Sequence, residues 1–105
     1  MKFDLPEIPE SDRDAAIRRI RAGLKARSGK TWSVRGGRGT VWGWIEIAPP
    51  PSRDTVEAWE ELSGLLGFLS TQTHISVPAA ADYRQEYIDR AEGRTPSVFG
   101  SPYWD

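Results

Sequence analysis

Trp42 and Trp44 stand two positions apart, just after the run Arg35-Gly36-Gly37-Arg38-Gly39. Indole rings beside guanidinium groups can stack nucleic-acid bases while the cations meet phosphates, which is how single strands are commonly held. Arg38, flanked by glycines, sits where a polynucleotide backbone can come close. Upstream, Arg18, Arg21 and Lys25 gather along one flank of a helical pattern, and Lys30 follows. The candidate phosphate-binding residues are therefore Arg18, Arg21, Lys25, Lys30, Arg35 and Arg38, with Trp42 and Trp44 for stacking. Two other readings use the same indoles. Another element of the chain, such as a third helix or the aromatic C-terminal tail, covers them; or they meet a second protein or a second copy, since Trp and Arg are enriched at interface hot spots.

The charge pattern bears on the same choice. The net charge of the 105-residue chain is −1, which offers no overall basic field. That total hides a segregation. Nine basic residues and one acid, Asp14, lie between Arg13 and Arg38, whereas ten acids and four arginines lie between Glu46 and Asp105. Either the two regions attract each other across one small fold, or the basic third forms a face for a polyanion.

Catalytic chemistry finds little support. Ser28-Gly29-Lys30-Thr31 resembles the end of a phosphate-binding loop, but five residues separate Gly23 from Gly29 where that motif needs four. It also runs from helix to strand, the wrong order. Gly36-Gly37-Arg38-Gly39 lies between two strands, with no helix after it to receive a pyrophosphate. His74 is the only histidine, so no His pair can hold a metal or run an acid–base couple. Glu60 and Glu61 are neighbours on a helix and point apart. Asp82, Glu86 and Asp89 read as a solvated helix face. The absence of cysteine removes thiolate chemistry and Cys-type zinc sites, and fits a reducing, cytoplasmic setting. The expectation is a non-enzymatic protein without cofactor or metal, and without a membrane span.

The elements that must position these residues form one domain over 1–105. An extended lead-in (1–10) precedes a helix over 12–27, with Ser11 and Asp14 at its start and Ile17, Ile20 and Leu24 on its apolar stripe. Residues 31–47 read as a hairpin, turning at Gly37-Arg38 so that Val34 faces Val41 and Trp32 covers Gly43. Its apolar face then holds Trp32, Val34, Val41, Ile45 and Ile47, and the other face Thr31, Ser33, Arg35, Trp42, Trp44 and Glu46. Pro49-Pro50-Pro51 ends that ladder. A second helix over 54–66, capped by Ser52 or Asp54, buries Val56, Trp59, Leu62, Leu65 and Leu66. Residues 73–77 are a candidate third strand and 79–92 a third helix with Tyr83, Tyr87, Ile88 and Ala91 on its stripe. An irregular tail, 94–105, carries Phe99, Tyr103 and Trp104 and is expected to dock on its own domain. The fold class is α+β, helices laid on one face of a small antiparallel sheet.

The stretch Ile20-Arg21-Ala22-Gly23-Leu24-Lys25-Ala26-Arg27, with Lys30-Thr31-Trp32-Ser33-Val34-Arg35 and Gly39-Thr40-Val41-Trp42-Gly43-Trp44-Ile45, is similar to the large polyvalent protein-associated domains of phage and plasmid proteins. The resemblance covers about residues 16–66. It implies a helix–hairpin–helix accessory module of mobile elements, with no catalytic residue to carry over. Ala48-Pro49-Pro50-Pro51 departs from the Gly-Pro turn of such domains, and the segment after Ser70 is additional. Residues and resemblance together lead to a small binding module that contacts nucleic acid through a basic helix and a Trp-bearing hairpin. The alternative is a protein-interaction or self-association module using the same aromatic surface.

Overall fold

Ile17, Ile20 and Leu24 recur at three- and four-residue spacing, which in a helix aligns them on one stripe. That stripe is buried along helix α1 (Glu10–Ser28), where Ile20 and Leu24 are fully enclosed. Ser11 lies inside the helix rather than at its cap. The computed structural model describes residues 10–67 and 75–96. The lead-in before residue 10, His74 and the aromatic tail residues Phe99, Tyr103 and Trp104 lie outside them. After α1 come strand β1 (Ser33–Gly36), a 3-10 turn (Gly39–Val41) and strand β2 (Trp44–Ala48). A second 3-10 turn (Pro51–Arg53), helix α2 (Val56–Leu66), strand β3 (Ile75–Pro78) and helix α3 (Ala81–Ala91) complete the order.

The three strands form an antiparallel sheet in the order β1-β2-β3. Val34, Ile45, Ile47, Ile75 and Val77 alternate along the strands and are all buried, in one cluster with side chains of α1, α2 and α3. All three helices thus pack on one side of the sheet, the α+β arrangement expected. Each large aliphatic side chain so enclosed contributes roughly 1.5–3 kcal/mol. The third strand lies at the end of the expected region, with Ile45 paired to Val77.

The hairpin is not the tight one expected. Val34 pairs with Ile47, not Val41, and Gly36 pairs with Ile45. Gly37 through Gly43 form a longer connection containing the Gly39–Val41 turn, so Val41 and Trp42 lie outside the ladder. Trp32 precedes β1 and does not cover Gly43. It is 1% exposed, its Nε1 donates to Ser28 Oγ at 2.8 Å, and the Arg53 guanidinium lies 4.6 Å from its ring centroid. A glycine-rich loop of this length is free to make its own turn, and the buried indole finds a better partner at the end of α1.

Helix α2 is capped by Thr55, whose side chain accepts from Ala58 N–H at 3.2 Å, rather than by Ser52 or Asp54. Asp54 instead accepts from Trp59 Nε1 at 2.7 Å. Val56 is 70% exposed and not part of the buried side, which consists of Ala58, Leu62, Ser63 and Leu66. Gly67 ends α2 in the left-handed region at φ 88°, where glycine carries no penalty. Helix α3 is shorter than expected, and its acidic side is not solvated throughout: Glu86 and Asp89 are buried. Arg90 Nε donates to Glu86 at 3.0 Å, and Arg94 reaches back to Asp89 at 2.6 Å. Buried carboxylates need such partners. Burial raises the Tyr87 hydroxyl pKa above its ordinary value.

Among the described residues the basic and acidic regions meet in two ion pairs. Arg19 of α1 pairs with Glu92 after α3 at 3.1 Å, and Lys30 pairs with Glu61 of α2 at 3.1 Å. Arg27 donates to the carbonyls of Leu65, Arg90 and Ala91, answering the open C-terminal ends of α2 and α3.

Candidate functional site

Strand β1 is an edge of the sheet, and α1 packs against it. Between them lies an open groove of about 780 Å³. Five arginines line it: Arg13, Arg18 and Arg21 from α1, Arg35 from β1 and Arg38 from the loop that follows. Asp14 and Glu46 are its only acids among the described residues.

Arg13 sets the geometry. Four residues before Ile17, it projects along the apolar stripe and its side chain is only 10% exposed. Nη1 donates to Gly37 O at 2.9 Å and to Trp42 O at 2.7 Å, tying together the two ends of the hairpin loop. The guanidinium also lies 4.2 Å from the centroid of the Trp42 ring. Gly36 makes room for it, since a Cβ there would stand 2.5 Å from Arg13 Cζ. Arg13 Nε makes no hydrogen bond and has Asp14 Oδ1 at 3.6 Å.

Arg21, half-buried, donates to Val34 O. Gly37 N–H donates to Trp44 O at 2.9 Å, so by alternation Val34 turns its backbone groups away from β2, toward the sheet's edge. That carbonyl, one of the backbone groups β1 turns to the sheet's edge, is thus occupied, and Val34 is completely buried.

Arg18, Arg35 and Arg38 are exposed, and none makes a hydrogen bond or ion pair among the described residues. Lys25 is likewise exposed and unpaired but lies outside the groove. Lys30 is committed to Glu61, whose carboxyl pKa falls below its usual range, chiefly because of that Lys30 hydrogen bond and also because of Arg53 at 3.0 Å.

Of the eight candidate residues, the fold brings Arg18, Arg21, Arg35 and Arg38 into one groove and joins Trp42 to it through Arg13. Lys25 and Lys30 stand apart. Trp42 and Trp44 are not side by side on one strand face: both are half-buried, but only Trp44 belongs to β2. Arg13 was missed by sequence reasoning. Its signal was a lone cation in register with Ala16, Ile17, Ile20 and Leu24.

The chain matches no family model, no curated protein and no solved structure among those with which it was compared. Among the described residues no helix is long and apolar enough to cross a membrane, and no three His, Cys, Asp or Glu side chains come together as a metal site.

Proposed function

We propose that this chain is a non-enzymatic nucleic-acid-binding module whose α1/β1 groove holds phosphates of a single strand. One observation carries the reading. Four cationic side chains are unpaired among the described residues, and three of them, Arg18, Arg35 and Arg38, line the same groove although they come from separate elements. Exposed guanidiniums held close together repel one another, and an anion between them relieves that repulsion. Arg13 and Arg21 add to the field, because their main hydrogen bonds go to neutral carbonyls.

The part played by tryptophan narrows. One face of Trp42 already carries the Arg13 guanidinium, so base stacking falls to the other face of that ring. A protein partner adding a strand to β1 would have to displace Arg21 from Val34 O. Cytoplasmic residence and the accessory role in mobile elements that the sequence resemblance implies are part of this proposal.

The test is binding of a short single-stranded oligonucleotide by fluorescence anisotropy at low salt. The variant Arg18→Gln/Arg35→Gln/Arg38→Gln is expected to lose at least tenfold in affinity, while Lys25→Gln stays within about twofold of the wild type, since each phosphate contact adds its own counterion-release contribution. Equal binding by the triple variant and the wild type would overturn the proposal.

A further inference from the structure

Resting on the groove reading above, we infer that the groove receives the end of a strand bearing a terminal phosphate, rather than the middle of a long one.

The surroundings of the groove argue for an end. Proteins that track a continuous strand carry basic residues along its path. Here neighbouring cations are paired with carboxylates within the fold: Arg19 with Glu92 and Lys30 with Glu61. Among the described residues only Lys25 stays unpaired outside the groove. Among the described residues, unpaired positive charge is concentrated in the groove, which holds three of the four such side chains.

Size and charge point the same way. A groove of about 780 Å³ falls within the range of roughly 300–1,000 Å³ typical of small-ligand sites. Five arginines against two carboxylates leave a surplus of three positive charges. A phosphate monoester carries about −1.5 to −2 near neutral pH, and each internal diester about −1. Two nucleotides ending in a monoester therefore bring about three negative charges, the number that the groove can balance. Every cation lining the groove is arginine, whose planar fork meets phosphate oxygens two at a time, whereas Lys25 and Lys30 lie outside it. A terminal phosphate exposes three non-bridging oxygens to several such forks, and an internal diester only two.

The experiment is titration calorimetry of the full chain with single-stranded tetranucleotides of one sequence, carrying a 5′-phosphate, a 3′-phosphate or hydroxyls at both ends. One phosphorylated form is expected to bind at least tenfold more tightly than the hydroxyl form, and the two phosphorylated arms identify which end is received. The advantage should shrink to about twofold in Arg38→Gln, whose exposed side chain makes no hydrogen bond or ion pair among the described residues. Equal affinity of all three oligonucleotides would overturn this inference while leaving the groove reading intact. Failure of every oligonucleotide to bind would overturn both.

Discussion

The Arg13 guanidinium lies 4.2 Å from the centroid of the Trp42 indole, and its Nη1 donates to Trp42 O and to Gly37 O. This one side chain fastens the hairpin loop to the first helix. Because it is nearly buried, its bonds are charge-assisted and poorly screened. The loop bearing Arg38 is therefore held beside Arg18 and Arg21, which is what makes the groove a single site.

Arg13→Ala should destabilise the protein by about 2–4 kcal/mol, combining lost charge-assisted hydrogen bonds with a lost cation–π contact. Gly36→Ala should cost about 1–3 kcal/mol by pushing a Cβ into that guanidinium. The two effects should not add. In an Arg13→Ala background the Gly36→Ala cost should fall below about 1 kcal/mol, because the clashing group is gone. Urea unfolding of the four proteins measures this, and strict additivity would deny the coupling.

Gly23 lies where α1 crosses α3, and a Cβ there would stand 2.9 Å from Ala91 O and 3.0 Å from its carbonyl carbon. Backbone cannot step aside as a flexible side chain can. Gly23→Ala should therefore destabilise by about 1–3 kcal/mol, even though alanine gains up to about 1 kcal/mol of helix propensity. A raised melting temperature in this variant would contradict the close approach.

Glu61 titrates below its ordinary value of 4.5 because it accepts from Lys30 and Arg53. A carboxyl group whose folded pKa is depressed stabilises the fold above its unfolded pKa, and that contribution is lost as pH falls through the folded pKa. Glu61→Gln should thus lower stability at pH 7 by a few tenths to about 1 kcal/mol, the range for partly exposed pairs, and have little effect well below pH 4.5. Chemical unfolding at both pH values checks the sign.

Much of the sheet was legible because its side-chain period is two. The partner of Val34 is Ile47 instead of Val41, a shift by an even number of positions, so Val34, Ile45 and Ile47 keep the buried face despite the wrong register. The loop was less legible, because glycine permits many turns and the choice depends on Arg13, a helix residue far away in sequence. Glu86 and Asp89 were misread for a similar reason. Their burial depends on Arg90 and Arg94 folding back on them, which no apolar periodicity reveals. At the candidate site, Arg18, Arg35 and Arg38 followed from local charge, whereas the loss of Lys30 to Glu61 depends on where α2 docks.

The most direct measurement is the salt dependence of single-strand binding. Three groove arginines, neutralising about three phosphate charges, release counterions so that log K falls against log salt with a slope of about −2, at roughly 0.7 per charge neutralised on single strands. That slope is expected for the wild type, and a value near zero for Arg18→Gln/Arg35→Gln/Arg38→Gln. A slope near zero for the wild type, or an unchanged slope in the triple variant, would contradict a phosphate-binding groove.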